Sequence, residues 1–205
     1  MDINRQGGDM ADICIDMKKM ETDIFLATEP GICHNHYWIK ETLNKTAKKA
    51  LKHSLVTLSS SKRKYSSYKK PGGAMIIAHG RTRGRITTYG NDEYGRWSWI
   101  RLNSKLGGIM VLSAYQVGNQ IDFNSGKKGS KTARLQQHSM LQEENRTCTP
   151  REAFVRNLIQ FLLPARERGD SLLIMGDFNE IFDTNAGMMD VADALGLVDL
   201  MEVKL

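Results

Sequence analysis

The chain has 205 residues, enough for one sizeable hydrophobic core, and we predict a single domain over residues 1–205. An apolar content of 40% and a charged content of 25% are typical of a globular protein, and no apolar run is long enough to span a membrane. No secretory leader is recognisable, and three cysteines at unrelated spacings argue against a disulfide framework. We therefore expect an intracellular protein, of the nucleus or the cytoplasm, without membrane contact.

The first part of the chain alternates helical and strand patterns. Apolar residues recur at helical spacing after Asp9, a potential N-cap, and later runs are rich in β-type residues. The predicted elements are a helix over 10–20, a strand over 23–29, a basic helix over 40–52 and a strand over 54–59. This alternation indicates an α/β architecture.

From Pro71 onward, short strands follow one another across turns, which predicts antiparallel pairing. Within one of them, Trp97 and Trp99 alternate with Ser98 and Ile100, so the two pairs are expected on opposite faces. The predicted strands cover 74–78, 85–89, 96–102 and 109–115, followed by helices over 132–145 and 150–168, a buried strand over 171–176 and a helix over 188–195. The second helix has a capping-box sequence, Thr149-Pro150-Arg151-Glu152.

Positive charge is concentrated in one block. Between residues 40 and 85, Glu41 is the only acid among thirteen lysines and arginines, whereas the chain from Asp177 onward is mainly acidic. Tyrosines accompany the densest part, a mixture that suits nucleic acid. The candidate nucleic-acid contacts are Lys62, Arg63, Lys64, Lys69 and Lys70. The alternative is a solvated surface segment without such a role.

Polar residues close several predicted strands. The run SLLIMGDFNE passes through Gly176, expected to permit a turn, and Asp177 and Asn179 then project to the same side. Glu29 ends the strand over 23–29, and Tyr115 ends the strand over 109–115. An acid and an amide at the mouth of an α/β strand favour polar chemistry, although both are also ordinary turn residues.

The order Asn4, Glu29, Tyr115, Asp177, Asn179 resembles that of the endonuclease/exonuclease/phosphatase superfamily, to which the apurinic endonucleases belong, with GDFN as its best-known block. The sequence around these residues is most similar to endonuclease domains of non-LTR-type retroelements; the similar segments are INRQGG, LATEP, SAYQV and LLIMGDFNE. The resemblance implies a four-layer α/β sandwich of the DNase I-like type, with mixed sheets flanked by helices.

It also implies a metal-dependent phosphodiesterase, most similar to a retroelement DNA endonuclease. By this resemblance Glu29 would bind Mg²⁺, with Mn²⁺ as an alternative, and Asn4 would assist at the metal. Asp177 would orient or deprotonate the attacking water, Asn179 would contact a phosphate oxygen, and Tyr115 would contact the phosphate or the leaving group. The expected partner is nucleic acid, with DNA favoured.

The sequence departs from the family pattern after Asp177. Family members carry a later Asp-His pair in which the histidine contacts the scissile phosphate, and no histidine follows Asp177 here. We therefore expect a fold that lacks its C-terminal strands. Two alternatives remain open: a catalytically inactive remnant that binds nucleic acid by charge, and a phosphatase or lipid phosphodiesterase of the same superfamily.

Overall fold

The computed structural model describes residues 8–32, 37–63, 70–105, 107–118, 132–180 and 186–200. Its strands are β1 (Ile24–Thr28), β2 (Leu55–Ser59), β3 (Ala74–Ala78), β4 (Ile86–Asn91), β5 (Trp97–Ser104), β6 (Gly107–Tyr115) and β7 (Ser171–Asp177). The first sheet has the order β1-β3-β2 and is antiparallel. The second has the order β4-β5-β6-β7 and is mixed, because β7 runs parallel to β6.

Helices cover the outer faces of both sheets. The described helices are α1 (Gly8–Lys19), α2 (Tyr37–Ala50), α3 (Gly80–Arg85), α4 (Ala133–Glu143), α5 (Pro150–Glu167) and α6 (Ala186–Leu195). Apolar side chains of α1 and α2 pack on the first sheet, and those of α5 and α6 pack on the second. Among the described residues, no helix has the length and apolar character needed to cross a membrane.

A third apolar cluster lies between the sheets. It brings Ile76 of the first sheet against Ile100 and Val111 of the second, all almost fully buried. The order of layers is therefore helix, sheet, sheet, helix, which confirms the predicted four-layer sandwich. The predicted strands and helices appear at the expected places, and α3 is an element that the sequence pattern did not predict.

The alternating faces of β5 are also confirmed. Trp97 and Trp99 point outward and contact Phe161 of α5, with ring centroids 5.8 and 5.7 Å apart. On the other face, Ser98 donates a hydrogen bond of 2.9 Å to the carbonyl oxygen of Ala74 in the first sheet. Helix α5 begins with the predicted capping box, in which the Thr149 N–H donates to Glu152 at 2.7 Å.

Strand β7 differs from the buried strand that the sequence predicted. It lies at the edge of the second sheet, and among the described residues β6 is its only paired strand. Leu172 and Ile174 are half-buried, whereas Met175 has 48% of its surface exposed. The strand is apolar because one of its faces packs on helices and the other on the first sheet. It does not need a second neighbouring strand to bury these side chains.

Gly176 is required by close packing rather than by a turn. It lies within β7 opposite Ala114 of β6, and a Cβ at this position would overlap the Ala114 carbonyl oxygen. We expect Gly176→Ala to lower the free energy of unfolding by about 1–3 kcal/mol, because the two strands would have to separate. Urea unfolding checks this.

Gly84→Ala in α3 is the matched control, because a Cβ there meets no atom within 4 Å and the change should be neutral or slightly stabilising. Equal stability of the Gly176→Ala variant and the wild type would contradict the assigned close contact.

A buried carboxylate secures the end of the second sheet at which β6 and β7 begin. Asp170 is 1% exposed and accepts two hydrogen bonds from Arg101, at 2.8 and 2.7 Å, and one from the Gly108 N–H at 3.0 Å. The Arg101 guanidinium, assisted by Arg168 and opposed by burial, lowers the pKa of Asp170 to about 2.

This lowered pKa makes part of the stability dependent on pH. The unfolded chain binds the proton more tightly, so the stabilisation is complete above about pH 4 and is lost as pH falls through about 2. We expect Asp170→Asn to lower the free energy of unfolding by about 2 kcal/mol at pH 6, and the difference from wild type to shrink between pH 4 and pH 2. Urea unfolding across this range measures it, with Asp12→Asn, an exposed residue of α1, as control. A free-energy difference between the Asp170→Asn variant and the wild type that does not change with pH would contradict the lowered pKa of Asp170.

Candidate functional site

Three strand ends meet at one end of the sandwich. Tyr115 and Asp177 are paired neighbours at the ends of β6 and β7. Ser113 of β6 donates a hydrogen bond of 2.9 Å across the sheets to the carbonyl oxygen of Ala27 in β1. Two residues further along each strand, the side chains of Tyr115 and Glu29 are hydrogen-bonded to each other. Three of the predicted site residues therefore come together, from both sheets.

The Tyr115 hydroxyl lies in a negative, largely buried environment. Burial raises the pKa of this phenol, and the hydrogen bond to Glu29 and the charges of Glu29 and Asp177 raise it further. The tyrosine therefore stays protonated at neutral and mildly alkaline pH. A protonated phenol next to a carboxylate acts as a hydrogen-bond donor, which holds the Glu29 carboxylate in one orientation.

Glu29 lies in a tight backbone conformation. Its φ is +49°, in the left-handed region that glutamate rarely adopts, and its N–H donates to the Gly73 carbonyl oxygen at 2.9 Å. Gly73 itself has a φ of +103°, and a Cβ there would overlap the Ser59 carbonyl oxygen. The turn that aims Glu29 therefore depends on a glycine at position 73.

Asn179 is held beside Asp177 by two hydrogen bonds and a left-handed backbone conformation. Its N–H donates to Asp177 Oδ1 at 3.0 Å, its side-chain Nδ2 donates to the Gln116 carbonyl oxygen at 2.7 Å, and its φ is +50°. The Gln116 N–H in turn donates to the carbonyl oxygen of Asp177 at 2.9 Å. Asp177 and Asn179 remain exposed, so both side chains are accessible from solvent.

Glu29 and Asp177 carry carboxylate oxygens, the type of donor that a hard divalent cation prefers. Mg²⁺ binds through one or two carboxylates and keeps several waters, so two such groups suffice. Within the described part of the chain, no group of three or more His, Cys, Asp or Glu residues gathers as a closed metal site. Asn4, the other predicted ligand, lies outside the described residues.

An ion pair that the sequence did not predict connects the segment carrying Asp177 and Asn179 to helix α5. Arg151, near the start of α5, pairs with Glu180, whose side chain is 2% exposed. Arg151 also donates to the carbonyl oxygen of Val117 at 2.8 Å and to those of Phe178 and Asn179, each at 3.5 Å.

Glu180 extends this contact to α6, because its Oε1 accepts the Met188 N–H at 2.6 Å. A cation in the first turn of a helix is electrostatically unfavourable, so these acceptors account for an arginine at position 151. The position of Glu180 directly after the Asp-x-Asn pair was a sequence signal for its involvement; Arg151, in the capping-box sequence, gave no such signal.

The predicted nucleic-acid contacts divide into three groups. Lys62 and Arg63 follow β2 at the same end as Glu29, since Ser59 and Thr28 both pair with Ala74. Lys62 pairs with Glu93 at 3.0 Å, and Arg63 pairs with Glu143.

Lys70 differs from the expected surface contact: it is 1% exposed, and its Nζ donates to the carbonyl oxygens of Ser61 and Arg63. It therefore stabilises the backbone of residues 61–63 from the buried side. Lys64 and Lys69 lie outside the described residues.

No protein-family model matches the sequence, and a comparison with curated proteins finds no match. Solved structures do match. A beta toxin from Staphylococcus aureus aligns with a TM-score of 0.51 at 12% identity, over 93% of this chain and 65% of the toxin chain. A mutant of that toxin with bound magnesium ions aligns with a TM-score of 0.46 at 13% identity, over 93% and 63%. An endonuclease/exonuclease/phosphatase family protein from Leptotrichia buccalis C-1013-b aligns with a TM-score of 0.45 at 15% identity, over 93% and 69%.

The chain spans 65% of the length of the first of these structures, slightly under two thirds. At such low identity the likeness concerns the fold, and it agrees with the layer order and the mixed sheet described above. The chain therefore has a DNase I-like α/β sandwich fold.

Proposed function

We propose that this chain is a metal-dependent phosphodiesterase that cleaves nucleic acid, with DNA favoured, as a retroelement endonuclease does. The observation that carries the proposal is the meeting of Glu29, Tyr115 and Asp177 at three strand ends drawn from two sheets. A phosphodiester gains negative charge as a nucleophile attacks it, so its cleavage needs a cation, an activated water and groups that fix the geometry.

Glu29 is the group that would hold Mg²⁺ or Mn²⁺, with Asn4 proposed as a second ligand. Once bound, such a cation neutralises charge on the phosphate and lowers the pKa of the attacking water. Tyr115 keeps the Glu29 carboxylate oriented through its hydrogen bond. Because the phenol remains protonated, it adds no further negative charge to those of Glu29 and Asp177.

Asp177 and Asn179 supply the remaining proposed roles. Asp177 is exposed at the end of β7, where its carboxylate can accept a proton from the attacking water. Asn179 uses one amide hydrogen on the Gln116 carbonyl oxygen and has a second for a phosphate oxygen. The hydrogen bond between the Asn179 N–H and Asp177 fixes the relative position of the two side chains.

The basic residues at this end of the sandwich favour a polyanionic substrate. Lys62 and Arg63 lie beyond β2, on the side of the first sheet that carries Glu29. The Lys62–Glu93 pair is solvent-exposed and the Arg63–Glu143 pair is partly exposed. Such surface pairs contribute little to stability, so a phosphate can replace the carboxylate at small cost. Cationic side chains next to acidic site residues suit a nucleic-acid backbone.

A comparison of small phosphate esters tests the proposed reaction class. With Mg²⁺ present, we expect hydrolysis of the diester bis(p-nitrophenyl) phosphate, at least tenfold slower hydrolysis of the monoester p-nitrophenyl phosphate, and loss of both rates in chelator. Preferential hydrolysis of the monoester would favour a phosphatase instead. Equal diester rates with and without metal would overturn the proposed metal requirement.

A further inference from the structure

Helix α3 has a sequence and a setting that core packing does not explain. Its six residues, GRTRGR, include no acid and no buried side chain. Glycine is a poor helix former, yet a Cβ at Gly84 would meet no atom within 4 Å, so no close contact requires this glycine. The element therefore contributes no buried side chain to the core, and its arginines are accessible to a ligand.

The arginines of α3 differ from three other arginines of the protein in having no carboxylate partner among the described residues. Arg96, Arg101 and Arg151 each pair with a carboxylate. In the part of the chain that the structure describes, the guanidinium groups of Arg81 and Arg83 make no ion pair or hydrogen bond.

Arg85 donates to a neutral acceptor, the Asn103 carbonyl oxygen, at 3.2 and 3.1 Å. Three positive charges thus lie together without being neutralised by an ion pair among the described residues.

Two lysines extend this positive region. The Gly80 N–H donates to the Lys52 carbonyl oxygen at 3.4 Å, which places Lys52 at the start of α3. Lys105 follows Asn103 by two residues and is exposed. Asp23 is an acid close by, since the His79 N–H donates to its carbonyl oxygen at 3.1 Å. We call the residues Lys52, Arg81, Arg83, Arg85 and Lys105 the distal basic surface.

This surface lies at the end of the sandwich opposite the candidate site. β3 begins at Ala74, paired with Thr28 beside Glu29, and ends at Ala78, paired with Ile24; α3 follows at once. Six residues of mostly extended chain, 74–79, lie between Gly73, which contacts Glu29, and Gly80, so the separation is roughly 20 Å. A phosphate bound by Arg81 or Arg83 is therefore too far from Glu29 and Asp177 to take part in the chemistry.

We propose that the distal basic surface is a second contact for the nucleic-acid backbone, remote from the site of cleavage. The proposal rests on the proposed function, since it takes nucleic acid as the substrate. A span of roughly 20 Å corresponds to about six base pairs along a duplex strand. A duplex of moderate length is thus long enough to contact both places. The surface adds affinity and leaves the chemical step unchanged.

Binding of a fluorescently labelled 30-base-pair DNA duplex, followed by anisotropy in chelator, tests this without cleavage. The Arg81→Gln/Arg83→Gln variant should bind at least tenfold more weakly at low salt, and the slope of log Kd against log salt should fall by about two. The matched control is Lys40→Gln/Lys49→Gln, two exposed lysines of α2, which removes the same charge and should change Kd less than twofold. Circular dichroism confirms that both variants fold.

Wild-type affinity in the α3 variant, or an equal loss in the α2 variant, would overturn the proposal, and so would an absence of binding by the wild type. Hydrolysis of bis(p-nitrophenyl) phosphate separates this result from the proposed function, because that small diester cannot reach from the site to α3. The α3 variant should hydrolyse it at the wild-type rate. If the wild type hydrolyses nothing, the proposed function fails, whereas selective loss of duplex binding in the α3 variant still supports the surface.

Discussion

Replacing Glu29 by Gln or Asp177 by Asn should reduce Mg²⁺-dependent phosphodiester cleavage by about 10²–10⁴-fold. Each change removes one negative charge and keeps the shape of the side chain. Glu29→Gln weakens the proposed cation site and replaces the carboxylate that Tyr115 contacts. Asp177→Asn removes the proposed proton acceptor at the end of β7. Initial rates of plasmid nicking at saturating Mg²⁺ measure both effects.

The controls carry the same chemical changes far from the site. Glu167→Gln at the end of α5 and Asp193→Asn on α6 alter exposed residues and should keep the wild-type rate. Thermal unfolding establishes that all four variants are folded. A site variant that retains more than a tenth of the wild-type rate would remove that carboxylate from the proposed mechanism.

Loss of Arg151 should have the largest effect on stability. We expect Arg151→Met to lower the free energy of unfolding by about 3–5 kcal/mol, because it leaves the Glu180 carboxylate buried without its cation. For a chain of this size the corresponding fall in melting temperature is about 10 °C. Calorimetry or urea unfolding measures the change.

A double-mutant cycle separates the ion pair from general effects of the substitution. Glu180→Gln removes the other charge, and the double variant should cost less than the sum of the two single changes. Arg156→Met, on the same helix, is the matched control; Arg156 is exposed and has a contact with Cys148 Sγ, so its loss should stay within about 0.5 kcal/mol. Additive costs at Arg151 and Glu180 would contradict the direct pairing.

Local patterns in the sequence predicted the elements and the residues at their ends. Strands ending in Glu29, Tyr115 and Asp177 follow from apolar runs closed by polar residues, and the capping box at Thr149 set the start of α5. These features depend on neighbours a few residues away, which is why they could be read from the chain alone. The four-layer arrangement came from the family resemblance and is now confirmed by the packing.

Contacts between distant segments could not be predicted in this way. The hydrogen bond between Tyr115 and Glu29 depends on how two sheets are stacked, and the Arg151–Glu180 pair joins a helix to a loop 29 residues later. The apolar run of β7 suggested enclosure, but apolar content does not distinguish an edge strand covered by helices from a central one. Lys70 was predicted as a surface contact because its sequence neighbours are also basic. Its burial depends on the folded chain and has no local sequence signal.

Nicking of a supercoiled plasmid by the purified chain, with Mg²⁺ and with chelator, tests the central claim most directly. We predict conversion to the open circular form in Mg²⁺, no conversion in chelator, and no conversion by the folded Asp177→Asn variant in either condition. Intact plasmid after incubation with folded wild-type protein and Mg²⁺ would contradict the claim that Glu29, Tyr115 and Asp177 form a phosphodiesterase site.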